Sequence, residues 1–147
     1  MSPRVVWSTD EYGMLIGPAV HDGSLNGIDL VAGKWLKISM TRVSGENVVV
    51  FLRDVSVFGI SDFCDGAIVG DLWLWNLRSV PNFDIEVGDN PWKILFGNNI
   101  HGSDLGDSIL TVSMANNDNF LFYLSCSYGG NIAAICTGMD VEASQNH

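Results

Sequence analysis

The sequence predicts a mainly β fold, an antiparallel sheet or sandwich of about seven to nine strands with one or two short helices. Short apolar runs, many alternating with polar residues, recur along the chain and are separated by turn-forming residues, among them 16 glycines. The chain has 147 residues, of which 47% are hydrophobic and 16% charged, as in a folded domain. We therefore expect residues 1–147 to form a single mainly antiparallel β domain.

The clearest element is a hairpin between Asn119 and Met139, in which two apolar runs flank Gly129-Gly130. Glycines adopt the positive φ of tight hairpin turns. With these two as the loop, Leu124 faces Ile135 and Cys126 faces Ala133. We expect one face of the hairpin in the core, carrying Phe120, Phe122, Leu124, Cys126, Ala133, Ile135 and Met139. The other face is more mixed, either half-solvated or covered by another layer. This register puts Cys126 and Cys136 on opposite faces of the hairpin and predicts no disulfide between them.

A second hairpin is predicted upstream. The segment from Trp35 to Val43 alternates, 44–47 turns the chain, and 48–52 is an apolar run typical of an interior strand. A four-residue loop pairs Met40 with Phe51, whereas a three-residue loop shifts the register by one, and the sequence leaves both open. Before this hairpin, Asn26-Gly27 predicts a turn and 28–31 a brief edge strand.

The longest predicted strand runs from Ala67 to Leu77. A bulge is expected at Gly70 and a bend at Gly59 in the preceding β segment 55–60. The even positions, Ile68, Leu72 and Leu74, suit a core, and the odd positions are Val69, Asp71, Trp73, Trp75 and Leu77.

Glycines and prolines break the chain between Arg78 and Asp107, and the segment contains one predicted helix. Asn90 is its N-cap, Pro91 its first residue and Gly97 lies just past its end. Such a short helix forms only if it docks, here through Trp92 and either Leu95 or Phe96. Another strand is expected at 109–114, and 140–147 reads as a polar tail.

The net charge of −10 is the strongest global feature. The chain has 7 Lys and Arg against 17 Asp and Glu, and no Lys or Arg follows Lys93. This charge disfavours nucleic acids and anionic membranes and favours cationic partners, although acidity also serves solubility alone. No apolar run approaches the ~20 residues that span a bilayer. The three cysteines, Cys64, Cys126 and Cys136, form no C-x-x-C motif. We expect a soluble cytoplasmic protein.

No motif indicates catalysis, a cofactor or a metal site. His101 with Asp104 and Asp107 is the nearest approach to a ligand cluster, but its spacing fits neither zinc nor EF-hand sites. The carboxylate pairs Asp62/Asp65 and Asp84/Glu86 are sequence neighbours, unlike glycosidase acids that face each other across a cleft. The nucleophile elbow G-x-S-x-G and a glycine-rich phosphate loop are absent.

Asp71, Trp73 and Trp75 share one face of the long strand and could form a patch for a protein or a sugar. The alternative is that this face packs beneath a second sheet or the short helix. For tryptophans in a small β domain, packing in the core is the commoner outcome.

The segment 33–75 resembles the small acidic immunity proteins of bacterial polymorphic-toxin and contact-dependent inhibition systems. The resemblance covers about a third of the chain, a hairpin followed by Asp54-Val-Ser-Val-Phe58 and by Asp62-Phe-Cys-Asp-Gly-Ala-Ile-Val-Gly-Asp71, and it includes no diagnostic motif. It implies a cytoplasmic, non-catalytic protein that occludes one cognate toxin. It carries over no toxin-binding residue.

The leading hypothesis is a protein-binding module that captures a basic partner, such as a toxin nuclease domain, as a monomer or a homodimer. Its candidate contacts are Asp62, Asp65, Asp71, Trp73, Trp75, Asp84, Glu86, Asp104 and Asp107. The alternative is a small-ligand or carbohydrate-binding β-sandwich with Trp73, Trp75 and Trp92 as stacking platforms. An enzyme is least favoured, since it requires a titrating group in an enclosed apolar pocket.

Overall fold

A computed structural model describes residues 3–31, 35–61, 67–80, 91–96, 118–127 and 130–144. These ranges contain one α-helix, a 3-10 turn at Leu77–Ser79 and eleven strands. The strands are β1 (Arg4–Val5), β2 (Ser8–Thr9), β3 (Leu15–Gly17), β4 (Ser24–Val31), β5 (Trp35–Thr41), β6 (Asn47–Arg53), β7 (Val57–Ser61), β8 (Ile68–Asn76), β9 (Phe120–Ser127), β10 (Asn131–Cys136) and β11 (Gly138–Ser144). The helix, α1, is Pro91–Phe96. The expectation of a mainly antiparallel β protein is confirmed.

Nine strands form one sheet in the order β1-β11-β6-β5-β4-β8-β9-β10-β7, and β2 pairs with β3 separately. The order contains two meanders, β4 to β6 and β8 to β10, and every pairing is antiparallel. The meanders meet at one register pair, Ser24 with Ile68. We call β1, β11, β6, β5 and β4 the first half of the sheet, and β8, β9, β10 and β7 the second half.

The two halves are also joined by a bent ribbon. Strand β6 continues into β7 and β10 continues into β11, so that the pairs β6/β11 and β7/β10 form one long antiparallel ribbon. At the bend, the Thr137 amide donates to the Arg53 carbonyl and the Ser56 amide donates to the Ile135 carbonyl, each at 2.9 Å. Asp54 takes a positive φ of 47° there, a conformation that Asp tolerates better than most residues. The bend turns the second half over the first.

The inner core lies between the halves. Its members from the first half alternate strictly along β5 and β6, where every second residue is buried. One cluster of buried residues contains both halves: Leu36, Ile38, Met40, Val48, Val50, Leu52 and Val141 from the first, and Val69, Leu72, Leu74, Phe122, Leu124, Ile132, Ala134 and Cys136 from the second. Burial of each large side chain contributes roughly 1.5–3 kcal/mol. The curled sheet therefore closes as a two-layer sandwich.

A second buried cluster covers the outer face of the second half. It contains Trp75, Leu77, Trp92, Leu121, Tyr123, Ala133 and Ile135, with Ile94, Leu95 and Phe96 of α1 packed against it. The mixed face of the predicted hairpin is thus covered by another layer, and α1 docks through Trp92 as expected. Gly59 permits this docking, because a Cβ at that position would lie 2.6 Å from the Ile94 carbonyl oxygen. Gly59 lies within the continuous strand β7, so the predicted bend there is wrong.

The observed β9–β10 register differs by three residues from the predicted register. The predicted register is therefore wrong. Leu124 faces Ile132, which moves Ala133 and Ile135 to the outer cluster and places Cys126 and Cys136 both on the inner face. The Gly130 amide donates to the Ser61 carbonyl of β7 at 2.8 Å, and residues 128–129 of the predicted turn lie outside the described residues. Both cysteines are free thiols, and burial raises the pKa of Cys136 to about 12.

The β5–β6 register also differs from both predicted alternatives, since Met40 faces Val48. The loop has three residues, 43–45, but starts earlier than the sequence suggested. The Arg42 amide donates to the Glu46 carbonyl, and the Arg42 guanidinium donates to the Glu46 carboxylate at 2.7 Å. Gly45, with φ of 89°, closes the loop.

Three further predictions concern β8, β4 and β11. The bulge at Gly70 is confirmed by a register shift between Val69 and Leu72, but it reverses the alternation, so Val69 is buried and Ile68 is 37% exposed. In the sheet order β4 lies between β5 and β8, but only Ser24 pairs with β8, so among the described residues 28–31 pair with β5 alone and the predicted edge strand is confirmed. Asn26-Gly27 forms a bulge within β4, so the turn predicted there is wrong. The segment predicted as a polar tail is largely β11, whose residues Val141 and Ala143 are buried. The strand predicted at 109–114 and Cys64 lie outside the described residues.

We predict that Gly59→Ala lowers the free energy of unfolding by about 1–3 kcal/mol, because the new methyl group pushes against the backbone of α1. Chemical denaturation measures this change. The matched control is Gly27→Ala in β4, whose added Cβ meets no atom within 4 Å, and it should change stability by less than about 0.5 kcal/mol or slightly increase it. Equal stabilities of the two variants would contradict the packing of α1 on β7.

Candidate functional site

A short hairpin, β2–β3, forms one side of the candidate site. Its turn is built by Asp10, whose carboxylate Oδ1 accepts from the amides of Tyr12 and Met14, each at 2.9 Å. The Asp10 amide donates to the Met14 carbonyl, and Gly13 takes a positive φ of 86°. An Asp that binds the backbone two residues ahead is a common turn builder. The Asp10 carboxylate is therefore primarily structural.

The turn docks on the part of β8 that β4 leaves unpaired. Met14 forms a bridge with Trp73, and the Leu74 amide donates to the Gly13 carbonyl at 3.0 Å. The Trp75 indole Nε1 donates to the Tyr12 carbonyl at 2.7 Å. A Cβ on Gly13 would lie 2.6 Å from Trp75 Cδ1, so only glycine allows this close approach. We call the surface formed by residues 10–16 of the hairpin, residues 21–22 and residues 71–75 of β8 the hairpin seam.

Two apolar side chains of the hairpin seam project into solvent. Tyr12 is 70% exposed and Ile16 is 50% exposed. Two clefts flank the docked turn. One, of about 370 Å³, lies beside Glu11, Leu74 and Ser79. The other, the His21 cleft, has a volume of about 300 Å³ and is lined by Met14, Leu15, Ile16, Ala19, Val20, His21, Asp71 and Leu72.

Negative charge without a Lys or Arg partner concentrates at the hairpin seam within the described residues. Its acids are Asp10, Glu11, Asp22 and Asp71. Most other described acids have basic neighbours: Arg42 pairs with Glu46, Arg53 with Asp140 and Arg78 with Asp118, while Asp29 and Glu142 face Lys37 and Arg4 across strands. Asp54, at the ribbon bend, is the exception. The seam therefore combines exposed apolar groups with uncompensated carboxylates.

His21 connects the seam to the bulge in β8. Its Nδ1 lies 2.7 Å from the Gly70 carbonyl oxygen and donates to it, because a carbonyl can only accept. The bulge exposes this carbonyl, and the Asp71 amide, which donates to Ser125 Oγ at 3.2 Å, holds the bulge in place. Asp71 Oδ1 lies 3.5 Å from Nδ1, and Asp22 Oδ1 lies 3.5 Å from Nε2. The hydrogen bond to Gly70 and the charges of Asp22 and Asp71 raise the pKa of His21.

The structure assigns different positions to the predicted contact residues. Asp71 lies in the hairpin seam. Trp75 is only 8% exposed, and Trp73 is half-buried and stacks against both Trp75 and Tyr123, with ring centroids 6.0 and 5.6 Å apart. The docked turn and the outer cluster cover Trp75, so this side chain offers little surface to a partner. The other six candidates, Asp62, Asp65, Asp84, Glu86, Asp104 and Asp107, lie outside the described residues, as does His101.

Sequence reasoning missed Tyr12, His21 and Asp22 as members of one surface. Only a weak local signal was present, since Asp10-Glu11-Tyr12-Gly13 has the composition of a turn with an aromatic residue at its tip. Nothing in the sequence indicates that this turn packs on β8, more than 50 residues later.

The side chains of the hairpin seam can bind a partner through ionic interactions and apolar contacts. In the described part of the chain, no group of three or more His, Cys, Asp or Glu residues is placed to hold a metal ion. No helix in that part is long and apolar enough to cross a membrane. Comparisons with protein-family models, curated proteins and solved structures found no match.

We predict that the pKa of His21 in the folded protein lies above the usual value of about 6.5 and falls in the double variant Asp22→Asn/Asp71→Asn. The fall should be incomplete, because the bond to the Gly70 carbonyl remains. NMR titration of the His21 ring protons measures it. Since the pKa is raised on folding, the stabilisation is complete below about pH 6.5 and is lost as pH rises through the folded value.

The control is Asp29→Asn, which removes a carboxylate that faces Lys37 on β5. It should leave the His21 titration unchanged. A His21 pKa at or below 6.5 in the wild-type protein would contradict the observed geometry.

Proposed function

We propose that the protein is a non-catalytic binding module that captures a basic protein partner through the hairpin seam. The supporting observation is the coincidence, on one surface, of exposed Tyr12 and Ile16 with carboxylates that no Lys or Arg of the described residues neutralises. Aromatic anchors inside a charged rim are the usual composition of a protein-binding hot spot.

The charges and the apolar groups have separate roles in this proposal. The net charge of −10 accelerates encounter with a cationic surface, and this effect weakens as salt screens it. Tyr12 and Ile16 lose water on contact and determine how long the complex lasts. The partner is therefore expected to present a basic surface around an apolar depression that accepts Tyr12.

In its more specific form, the proposal is that of a bacterial immunity protein that acts in the cytoplasm. Its partner would be a basic toxin domain, such as a nuclease, whose phosphate-binding surface the carboxylates cover. The acidity of the chain and the resemblance of segment 33–75 to such proteins support this form. Occlusion requires no catalytic group in the inhibitor.

Carbohydrate binding through stacked tryptophans is not proposed further. Of its three platforms, Trp75 and Trp92 are 8% and 3% exposed and belong to the outer cluster. Trp73 alone is partly accessible. A sugar site of this kind needs several open aromatic faces, which these residues do not supply.

We predict that the wild-type protein, used as bait in a lysate of the source organism, retains a basic protein that elutes progressively with salt. The double variant Glu11→Gln/Tyr12→Ser should weaken retention by about tenfold or more, since it removes a rim charge and the exposed aromatic. Asp10 is left intact because it builds the turn. Affinity measured by calorimetry with the purified partner completes the test.

The matched control is Asp29→Asn/Val43→Ser, which removes one acid and one exposed apolar side chain outside the hairpin seam. It should bind like the wild type. Retention of no basic protein, binding that is insensitive to salt, or equal losses in the two double variants would each contradict the proposal.

A further inference from the structure

The His21 cleft has an apolar floor and a charged rim. Met14, Leu15, Val20 and Leu72 are among the residues that line it, and the Asp71 carboxylate lies at its edge with a 36% exposed side chain. Its volume of about 300 Å³ is at the small end of ligand pockets and matches one long side chain better than an extended ligand. An apolar groove that ends at carboxylates is complementary to an aliphatic stem with a cationic head.

The Asp71 carboxylate, which lines the cleft, and the adjacent Asp22 carboxylate, which does not, share a neighbour of variable charge. The His21 ring lies between them, with Asp71 3.5 Å from Nδ1 and Asp22 3.5 Å from Nε2. Another described cation contacts the segment that lines the cleft: the Arg42 Nε donates to the Ala19 carbonyl at 2.6 Å. Its guanidinium is paired with Glu46 at 2.7 Å and is therefore already compensated. Protonation of His21 thus halves the formal negative charge of these two carboxylates.

We propose that the His21 cleft receives a lysine or arginine side chain of the protein partner and that protonated His21 competes with this side chain for Asp71 and Asp22. This inference rests on the proposed function, which it deepens by naming the group that is bound and the condition that releases it. The aliphatic stem would lie along Met14 and Leu72, and the ammonium or guanidinium would meet the carboxylates.

The competition has a defined pH dependence. Neutral His21 leaves both carboxylates to the incoming cation, whereas the imidazolium pairs with them, offsets one of their two negative charges and repels the cation. Binding is therefore tightest above the pKa of His21. If protonation and binding exclude each other, the dissociation constant rises about tenfold for each pH unit below that pKa. The range from pH 8 to pH 5.5 covers the titration of histidine side chains and lies above the ordinary range of Asp and Glu. The variant His21→Gln distinguishes His21 from His101 and His147.

The test uses small probes and the whole protein. Nα-acetyl-arginine methylamide and Nα-acetyl-lysine methylamide are titrated separately, and the matched control is the citrulline analogue, which replaces the guanidinium with a neutral urea. Backbone amide shifts of Val20, Gly70 and Asp71 are followed by NMR at pH 8 and pH 5.5. We expect saturable shifts at these residues with one or both cationic probes, several-fold weaker at pH 5.5, and none with citrulline. The probe that binds more tightly identifies the residue type of the guest.

Two variants separate the roles of the rim groups. Asp71→Asn should weaken probe binding by about tenfold at pH 8, because it removes the carboxylate that lines the cleft. His21→Gln should bind at pH 5.5 as tightly as at pH 8, since no proton competes. Amide spectra that retain their dispersion show that each variant is folded. Equal binding of citrulline, shifts that map outside the cleft, or unchanged pH dependence in His21→Gln would overturn the inference.

The result also separates this inference from the proposed function. If the partner retained in the lysate experiment binds wild type and Asp71→Asn equally while Glu11→Gln/Tyr12→Ser loses it, the hairpin seam binds the partner and the cleft does not receive its side chain. If the cationic probes bind but no basic protein is retained, the cleft recognises cations and the proposed function fails.

Discussion

The bend in the ribbon formed by β6/β7 and β10/β11 determines the rest of the architecture. Without the hydrogen bonds from Thr137 to Arg53 and from Ser56 to Ile135, the two halves would form one open sheet with an exposed apolar face. The bend converts two meanders into the layers of a sandwich that share the inner core.

The bulge at Gly70 links this fold to the candidate site. By reversing the alternation along β8, it directs both Val69 and Leu72 into the inner core. The same irregularity frees the Gly70 carbonyl for His21 and positions Asp71 at the rim of the cleft. Beyond the bulge, β8 offers its edge to the hairpin turn instead of to β4. A local irregularity of one strand thus produces the surface that carries the functional proposal.

The sequence predicted what depends on local pattern. Alternation at 35–41, the apolar run at 48–52 and proline at the start of α1 each placed an element correctly, and Gly70 indicated the bulge. Register was not predictable, because it depends on hydrogen bonds such as that from the Cys126 amide to Asn131 Oδ1, which no hydrophobic pattern reveals. The hairpin seam was missed for the same reason: it joins residues 10–16 to residues 71–75 through backbone contacts. Trp75 was predicted as a partner contact because tryptophan is common at binding surfaces. In the structure, the turn that contains Gly13 packs on it, and it shares the outer cluster with Trp92 of α1.

The central claim is that the sheet folds over at the ribbon bend and at the β4–β8 junction, which brings its two halves together. Scalar couplings across hydrogen bonds in a backbone NMR experiment test this directly, since they report individual donor and acceptor pairs. We expect couplings from the Thr137 amide to the Arg53 carbonyl and from the Leu25 amide to the Ala67 carbonyl, which are 2.9 Å hydrogen bonds in the structure. Absence of both couplings in a folded sample, with couplings that instead pair these amides elsewhere, would contradict the account.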